Sequence, residues 1–422
     1  MKAVTRALEA GPPLDPVALA GSRGVCFVNR SVTLAGTGRA AVFSLAGGLL
    51  DPSGPSGLMH RLGAIERDDP LGLPGTGPVA FGALPFESGA AGEMVVPSLL
   101  YGRDADGVEW ATSVGEHPVE PTRALVTAAL ERPVAEPFGR PTLVACDPAD
   151  YPAAVAVATQ AIAASRLRKV VLARRLVVDL GAAPSPPAVL ARLAAQEPSA
   201  TAFLVSRGPG VFVGASPELL VSRRGASVRS HPLAGTAASG AGAAACLLAS
   251  AKDLEEHALV VADIARVLDP HCSELVVPAE PSLVSLHSMN HLGTRIEGCL
   301  MAEGGRLPSA LELVAELHPT PAVGGVPREP ALELIERLEP GPRGPWAGPV
   351  GWLDAAGDGD WVVGLRSTAI EGSTAVVWAG AGIVAASDPL AERAETDLKL
   401  APALEGLAPG ASALLEGCPL RW

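Results

Sequence analysis

The stretch 374–399 constrains the fold of this chain more than any other part of the sequence. It opens with β-branched and apolar residues that predict a strand, and Gly380 and Gly382 are expected to end that strand. The Ser-Asp-Pro sequence at 387–389 then predicts the start of a helix. A Ser or Asp side chain caps a first turn, and Pro is tolerated there because no N–H donor is needed. The stretch therefore predicts a strand that leads into a helix.

Three charged residues share one face of that predicted helix. Glu392, Glu395 and Lys399 are spaced at i, i+3 and i+7, and such positions lie on the same side of a helix. Two carboxylates and an amine beside a glycine-rich strand end could hold a hard cation together with an anionic ligand. A solvent-exposed face with an i, i+4 Glu–Lys pair explains the same spacing. Taken alone, the stretch favours this simpler interpretation.

Charge and hydropathy exclude several classes of partner. The net charge of −13 argues against nucleic acids and anionic membranes. A small anionic substrate remains possible, because it needs only a local positive pocket. No apolar run approaches the ~20 residues of a membrane-spanning helix, and the N-terminus lacks the apolar segment of a signal peptide. We therefore expect a cytoplasmic protein with no membrane partner.

The order of predicted elements indicates the fold class. Strands and helices mix along the chain without a strict βαβ alternation, and no internal repeat is present. This pattern favours an α+β fold of mostly antiparallel sheets with packed helices over a doubly wound parallel sheet. Residues 104–140 are polar and rich in Pro, and they are interpreted as a linker or surface excursion.

Two single residues could carry acid–base chemistry. Lys169 stands at the head of an otherwise apolar strand; a lysine at the sheet edge is the simpler explanation, and a general base in a partly dry cleft is the alternative. Glu218 lies between apolar residues after a Ser-Pro turn. A carboxyl group in such surroundings could have a raised pKa and act as a general acid, or it could be a strand-end glutamate in water.

A second carboxylate pair lies on another predicted helix, 249–267. Asp253 and Glu256 are three residues apart and share a face. If this helix faces the C-terminal one, one carboxylate from each could bind Mg²⁺, which takes few protein carboxylates, and the other two would support the ligands. Two solvated faces explain the same spacing. The apolar stripe predicted for helix 249–267 consists of Leu254, Ala258, Val261, Ile264 and Leu268.

The histidines and cysteines give no metal-ligand pattern. Four histidines are expected to be structural or near a substrate, not zinc ligands: His231, His257, His291 and His318. The cysteines are widely separated, and free thiols in a reducing compartment are expected. These cysteines are Cys26, Cys146, Cys246, Cys272, Cys299 and Cys418.

A series of short motifs, in order along the chain, carries a resemblance to a known family. The motifs are KVVLAR at 169–174, GASPE at 214–218, PLAGT at 232–236, KDLEEH at 252–257, HLGT at 291–294, AGPVGW at 347–352, LRS at 365–367 and GAGIV at 380–384. Together they resemble the chorismate-utilising enzymes, which include isochorismate, salicylate, anthranilate and aminodeoxychorismate synthases. The match spans 145–405, and a weaker similarity at 81–86 extends it to the N-terminal part.

The resemblance implies one large domain over 1–422. Its catalytic core would be 145–405, and 1–140 would complete the sheet scaffold. The active site would lie in a cleft between the sheets, and the chain is expected to be monomeric.

The resemblance also implies a reaction and its catalytic residues. A nucleophile adds at C2 of chorismate, and the C4 hydroxyl leaves with an allylic shift. Lys169 matches the general base that activates water, and Glu218 matches the general acid that protonates the leaving hydroxyl. Glu256 and Glu395 match the Mg²⁺ ligands, which leaves Asp253 and Glu392 as supporting residues. The positions that match substrate contacts are Gly235, Thr236, Ala322, Trp346, Arg366, Gly380 and Lys399.

Within the family, the chain is most similar to isochorismate synthase. Lys169 and Ala234 occupy the two positions that distinguish water from nitrogen nucleophiles, and both favour water. The sequence Pro-Ala-Val at 321–323 favours a reaction that stops at isochorismate over one that continues to salicylate and pyruvate.

Two alternatives remain open. The first is a salicylate synthase. The second is a catalytically weak chorismate-binding homologue, suggested by the segment 237–248, which is apparently shorter than in the family. Trp346 also stands where a tyrosine or phenylalanine is common. The product could serve a siderophore or menaquinone pathway.

Overall fold

The computed structural model describes residues 1–51, 53–131, 139–147, 150–240, 242–286 and 289–416. Its strands are β1 Lys2–Ala7, β2 Val25–Val28, β3 Val32–Thr37, β4 Ala41–Leu45, β5 Glu66–Asp68, β6 Val79–Ala83, β7 Gly92–Val96, β8 Leu99–Asp104, β9 Glu109–Gly115, β10 Thr142–Asp147, β11 Lys169–Asp179, β12 Thr201–Arg207, β13 Gly210–Ser216, β14 Leu219–Arg224, β15 Ser227–His231, β16 Leu233–Ala238, β17 Cys272–Val276, β18 Ser282–Ser285, β19 Met289–Gly293, β20 Ile296–Leu300, β21 Gly325–Val326, β22 Pro349–Asp354, β23 Gly359–Val363, β24 Ser367–Glu371 and β25 Thr374–Ile383. Its helices are α1 Pro16–Ala20, α2 Ser53–Gly63, α3 Arg123–Ala129, α4 Tyr151–Ala164, α5 Pro186–Gln196, α6 Ala243–Ala249, α7 Ala251–Leu268, α8 Ala310–Leu317, α9 Arg328–Leu338 and α10 Pro389–Leu407.

Two large sheets form the framework of the molecule. The first has the strand order β10-β11-β25-β24-β13-β12-β2-β3-β8-β9-β1-β5, with β21 beside β11. The second has the order β17-β20-β15-β14-β23-β22-β6-β7-β4, and β16-β19-β18 form a small third sheet. Neighbouring strands run antiparallel, as in β11 and β25, whereas β1 and β5 run parallel. The predicted α+β fold of packed, mostly antiparallel sheets with helices outside is confirmed.

The alternation of side chains along β2 shows how the layers pack. Val25 and Phe27 lie in the apolar layer between the two large sheets, together with Phe81 of β6 and Trp352 of β22. Cys26, between them in sequence, lies in a separate apolar cluster to which α1, α5 and α10 contribute. One face of the first sheet therefore packs on the second sheet, and helices cover the other face.

The N-terminal part is interleaved with the rest of the chain. Strands β2 and β3 lie between β12 and β8, and β6 pairs with β22. The interpretation of 104–140 as a linker or surface excursion is wrong for its described part. Strand β9 lies between β8 and β1, and its Trp110 is fully buried. The polar and Pro-rich stretches that suggested a linker flank this buried strand.

The C-terminal strand extends past its glycines. Strand β25 pairs with β11 through both Gly380 and Gly382, so the predicted end of the strand at these residues is wrong. The predicted helix start is confirmed: α10 begins at Pro389, and the Asp388 carboxylate accepts hydrogen bonds from the backbone N–H groups of Leu390 and Ala391.

Helix α7 buries only part of the predicted stripe, namely Ile264 and Leu268. Ala258 of that stripe is exposed, whereas Glu256 and His257 are buried. Both polar side chains have partners, since Glu256 pairs with Lys169 and His257 Nε2 lies 2.7 Å from Thr294 Oγ1. A buried polar face is stable only when its groups are paired, and the apolar periodicity of the helix does not reveal such partners.

The cysteine expectation is wrong at one position. Cys146 is disulfide-bonded, because pairing depends on where the fold brings distant thiols together. Cys26, Cys246, Cys272 and Cys299 are free, and Cys418 lies outside the described residues.

Among the helices of the described residues, none has the length and apolar character needed to cross a membrane.

Candidate active site

A cleft with about 720 Å³ of open space lies where the first sheet, the small third sheet and helices α7 and α10 meet. Strands β11 and β25 contribute one wall, and β16 and β19 contribute the opposite one. The cleft is lined by Val171, Pro217, Glu218, Leu233, Ala234, Gly235, Thr236, Glu256, His291, Ala322, Val323, Trp346, Leu365, Arg366, Trp378, Ala379, Gly380, Gly382, Glu395 and Lys399.

The first residue of β11 borders this cleft through a buried ion pair. The Lys169 side chain is 0% exposed, and its Nζ lies 3.0 Å from Glu256 Oε1 on α7. Gly382 permits the contact, because a Cβ there would lie 2.2 Å from Glu256 Oε1 and 3.0 Å from Lys169 Cε. The interpretation of Lys169 as a surface lysine is therefore excluded. Glu256, rather than Lys169, lines the cleft.

Glu218 presents a buried carboxyl group to the cleft. Ser216 Oγ shapes the turn before it by donating to the carbonyl of Val363, at 2.6 Å, and accepting from the backbone N–H of Glu218, at 3.3 Å. Only 3% of Glu218 is exposed. Burial raises the pKa of its carboxyl group to about 8, although the positive charge of Lys169 opposes the shift. Glu218 is therefore protonated at pH 7 and can donate a proton, as a general acid must.

Helix α10 presents a carboxylate and an amine to the cleft. Lys399 Nζ lies 2.6 Å from Glu395 Oε1 and 3.0 Å from the carbonyl oxygen of Gly380. Glu392, one turn earlier, accepts a 2.9 Å hydrogen bond from Lys252 on α7. The three charged residues of the predicted helix face thus point toward the cleft and toward α7, not into bulk solvent.

Negative charge accumulates between α7 and α10. Burial raises the pKa of Glu392, and the charge of Glu395 adds to the shift. Burial also raises the pKa of Asp253, and the charges of Glu256 and Glu395 act in the same direction. Ser250, the N-cap of α7, donates a hydrogen bond to the Asp253 carboxylate. The two helices therefore face each other, as the sequence hypothesis required.

A cation directly before β24 of the first sheet contacts a histidine of β19, on the opposite wall. Arg366 has a left-handed backbone with φ of 49°, and its NH2 group lies 3.4 Å from His291 Nε2. Burial lowers the pKa of Arg366 to about 10, so it remains charged at pH 7. Burial and the charge of Arg366 lower the pKa of His291. His291 Nδ1 lies 3.1 Å from Thr236 Oγ1 and 3.3 Å from the carbonyl oxygen of Gly235.

Two stacked indoles form an apolar wall. The rings of Trp346 and Trp378 have centroids 5.8 Å apart and an interplanar angle of 17°. Ala322 and Val323 also line the cleft. Flat apolar surfaces of this kind can hold the ring of a small substrate while charged groups bind its carboxylates.

The donor set between α7 and α10 fits Mg²⁺. Glu256 and Glu395 present carboxylate oxygens to one cleft from two helices, and oxygen is the ligand that Mg²⁺ prefers. In the part of the chain that is described, no three His, Cys, Asp or Glu side chains form a complete protein-only metal site. Mg²⁺ needs only one or two carboxylates, because water and substrate oxygens complete its shell. Glu256 pairs with Lys169 and Glu395 with Lys399, so these oxygens must change partners to bind a cation.

The structure brings most of the sequence-predicted site residues into one cleft. Those that line it are Glu218, Gly235, Thr236, Glu256, Ala322, Trp346, Arg366, Gly380, Glu395 and Lys399. The three others lie behind this lining: Lys169 contacts Glu256, Glu392 contacts Lys252, and Asp253 contacts Ser250.

Sequence reasoning missed two residues of the lining in particular. The sequence pattern places Trp378 only in a strand. A large aromatic residue directly before a glycine-rich strand end can, however, indicate the wall of a ligand-binding site. Gly382 was interpreted as a strand breaker. Its actual role, leaving room for the Lys169–Glu256 contact, depends on residues far away in sequence.

The segment 237–248, which suggested a catalytically weak homologue, follows Thr236 of the cleft lining. Strand β16 ends at Ala238, and α6 packs against β16 and β19. None of its described residues, which exclude Ala241, lines the cleft.

Comparisons with known proteins agree on a family. The family model described as chorismate binding enzyme matches residues 29–408. The isochorismate synthase DhbC of Bacillus subtilis is 37% identical over 344 residues, which cover 78% of this chain and 81% of that protein. The isochorismate synthase MenF of the same organism is 34% identical over 368 residues, which cover 81% of this chain and 77% of that protein.

A solved structure shares the fold. The menaquinone-specific isochorismate synthase MenF from Escherichia coli matches with a TM-score of 0.78, covering 96% of this chain and 94% of that chain, at 24% sequence identity.

Proposed function

We propose, from the premise that this chain belongs to the family of chorismate binding enzymes, that it is an isochorismate synthase. The family is the one that the sequence motifs indicated. The reaction is the conversion of chorismate to isochorismate by addition of water at C2 and loss of the C4 hydroxyl. Relatives named isochorismate synthase, at 34–37% identity over more than three quarters of the chain, support this assignment.

The observation that carries the proposal is the buried carboxyl group of Glu218. Hydroxide is a poor leaving group, so its departure needs a proton donor. Burial raises the pKa of Glu218 to about 8, which keeps the proton on this residue at pH 7 until the leaving oxygen takes it. Glu218 lines the same cleft as two fixed cations, Arg366 and Lys399.

Lys169 is proposed as the base. Water is a weak nucleophile, and we propose that Lys169 takes a proton from the attacking water while Glu218 gives one to the leaving hydroxide. One water is consumed and one is released, so the reaction is an isomerisation. For this step Lys169 must exchange its contact with Glu256 for one with water.

Two cationic side chains, Arg366 and Lys399, explain how a protein of net charge −13 accepts chorismate, which is a dianion. We propose that Arg366 and Lys399 bind the substrate carboxylates and that the Trp346–Trp378 wall packs against the ring. Glu256 and Glu395 would hold Mg²⁺, with Asp253 and Glu392 supporting them, and the ion would supply positive charge for the ring carboxylate. Gly235, Thr236, Ala322 and Gly380 complete the surface around the substrate.

The test is product analysis. The purified chain is incubated with chorismate and Mg²⁺, and the products are separated by chromatography, with Glu218→Gln as the matched inactive control. We expect isochorismate at equilibrium with chorismate. Salicylate and pyruvate would instead identify a salicylate synthase, and no turnover would identify a binding homologue.

A further inference from the structure

One edge of β11 lacks a neighbouring strand near Val171, the residue of this strand that lines the cleft. Along this edge, β21 pairs with Lys169 and Val170, and β10 pairs with 175–179. Among the described strands, none pairs with Val171 or Ala173 on that side, although the backbone N–H of Val171 donates to the carbonyl oxygen of Gly324 at 2.7 Å, just before β21. Unpaired backbone groups in a buried strand must find other partners.

A buried ion pair supplies partners for the carbonyl group of Val171 and the N–H group of Ala173. Glu339, which follows α9, accepts a 2.9 Å hydrogen bond from the backbone N–H of Ala173. Arg343 donates to the carbonyl oxygen of Val171 at 2.8 Å. The two side chains are joined by a 2.8 Å hydrogen bond from Arg343 Nε to Glu339 Oε2, and their side chains are 1–2% exposed.

Arg343 also reaches the other parts of the same cleft wall. Its NH1 group donates to the carbonyl oxygen of Val323 at 2.7 Å. Its guanidinium lies 4.2 Å from the ring centroid of Phe86 and 5.2 Å from that of Trp346. Three of the residues touched by Arg343 line the cleft, namely Val171, Val323 and Trp346, whereas Arg343 and Glu339 do not.

We propose that the Glu339–Arg343 pair is a positioning element that replaces the missing strand and fixes the cleft wall formed by Val171, Val323 and Trp346. The inference rests on the proposed function, because that wall would contact chorismate. Only a planar fork of donors can join two carbonyls and a carboxylate at once. A lysine at 343 keeps the charge but contacts fewer of these groups.

The kinetic effect of a substitution in the Glu339–Arg343 pair distinguishes a positioning role from a purely structural one. The three wall side chains are uncharged, so they bind the substrate and the transition state about equally. Loss of such uniform binding raises KM while kcat changes little. A purely structural role would instead lower thermal stability and leave the KM of the folded molecules unchanged.

The experiment compares Arg343→Lys with Arg224→Lys in the full chain. Arg224 is a matched control: it bonds Asp360 at 2.7 Å and lies 4.8 Å from the Trp352 ring centroid, but none of these residues lines the cleft. We expect Arg343→Lys to raise KM and the chorismate Kd, measured by tryptophan fluorescence, by about 10-fold, with kcat within about 3-fold. We expect Arg224→Lys to leave KM within about 2-fold of the original value.

A second variant keeps the test decisive if Arg343→Lys does not fold. Glu339→Gln retains an acceptor for Ala173 and should raise KM by a smaller factor, about 3-fold. An unchanged KM in a folded Arg343→Lys protein, or in Glu339→Gln when the former fails to fold, would overturn the inference.

If the unmodified chain neither binds nor converts chorismate, the proposed function fails. The inference then depends on amide hydrogen exchange at 171–173: faster exchange in the Glu339 or Arg343 variant than in Arg224→Lys supports it, and equal exchange overturns it.

Discussion

Two neighbouring salt bridges join the start of β11 to α7, and they differ mainly in burial. Arg168 and Glu255 lie 3.7 Å apart with side chains 58% and 73% exposed. Lys169 and Glu256, each one residue later, lie 3.0 Å apart with side chains 0% and 11% exposed. Both pairs join a basic residue to a glutamate, yet only the second borders the cleft.

The comparison teaches that desolvation, not residue type, gives these charges their chemical role. Water screens the outer pair, which therefore contributes little. The inner pair has lost most of its water, so each charge interacts strongly with its neighbours. Lys169 accordingly influences Glu218 and His257.

The largest expected effect is on the rate when the buried acid–base groups are removed. Lys169→Ala and Glu218→Gln should each lower kcat by about 10²-fold or more, because each removes a proton transfer. Steady-state kinetics with chorismate measure this, and Arg168→Ala serves as the exposed neighbour of Lys169. A near-normal kcat in either variant would remove that residue from its proposed role.

The next effect concerns the cation and contrasts Glu256 with Glu255. Glu256→Gln and Glu395→Gln should raise the Mg²⁺ concentration needed for half-maximal activity by about 10-fold or more, since each loses an anionic ligand. Calorimetric titration with Mg²⁺ provides a readout independent of turnover. Glu255→Gln should match the unmodified protein, and equal titrations for all three variants would contradict the ligand assignment.

A smaller effect is expected on stability, with a defined pH dependence. The pKa of Glu218 is about 8 in the folded chain and about 4.3 when unfolded. Its contribution to stability is therefore fully present below about pH 4 and is lost as the pH rises to about 8. Glu218→Gln removes this loss, so it should raise the free energy of unfolding by on the order of 1 kcal/mol or more at pH 8.

Urea unfolding at pH 5 and pH 8 measures this difference. The gain from Glu218→Gln should be larger at pH 8 than at pH 5. A gain that is equal at both values would show that Glu218 does not titrate between them.

The smallest expected effect comes from the exposed pair. Arg168→Ala and Glu255→Gln should change kcat by less than about 2-fold and leave the melting temperature nearly unchanged. Thermal melts and kinetics measure both quantities. A large loss of activity in either variant would show that the outer pair also shapes the cleft.

Local sequence patterns predicted several features of the fold and the site. The cap at Asp388 and the helix start at Pro389 depend on backbone groups one turn away, so a short stretch is sufficient to indicate them. The spacing of Asp253 and Glu256, and of Glu392 and Glu395, is likewise a property of one helix. The resemblance that selected Lys169 and Glu218 also rests on short local motifs.

Predictions failed where distant residues decide burial. The interpretation of the region around Trp110 as a linker followed its polar flanks, but Trp110 is buried in the apolar layer with Phe81 and Trp352, which are distant in sequence. The apolar stripe predicted for α7 is only partly right: Ile264 and Leu268 are buried, but so are Glu256 and His257, which have partners on other elements. The Glu339–Arg343 pair was not predicted, because the strand edge that it occupies is defined only by the arrangement of β10, β11 and β21.

The sequence by itself determined the chemistry that is available: carboxylates on two helices, a lysine at a strand start and a glutamate after a tight turn. It also indicated the family, which the match over residues 29–408 confirms. Only the tertiary structure decided which of these groups lose their water. Arg168 stays solvated while Lys169 is enclosed beside Gly382, because desolvation is produced by all the neighbours packed around a group, and most of those neighbours are distant in sequence.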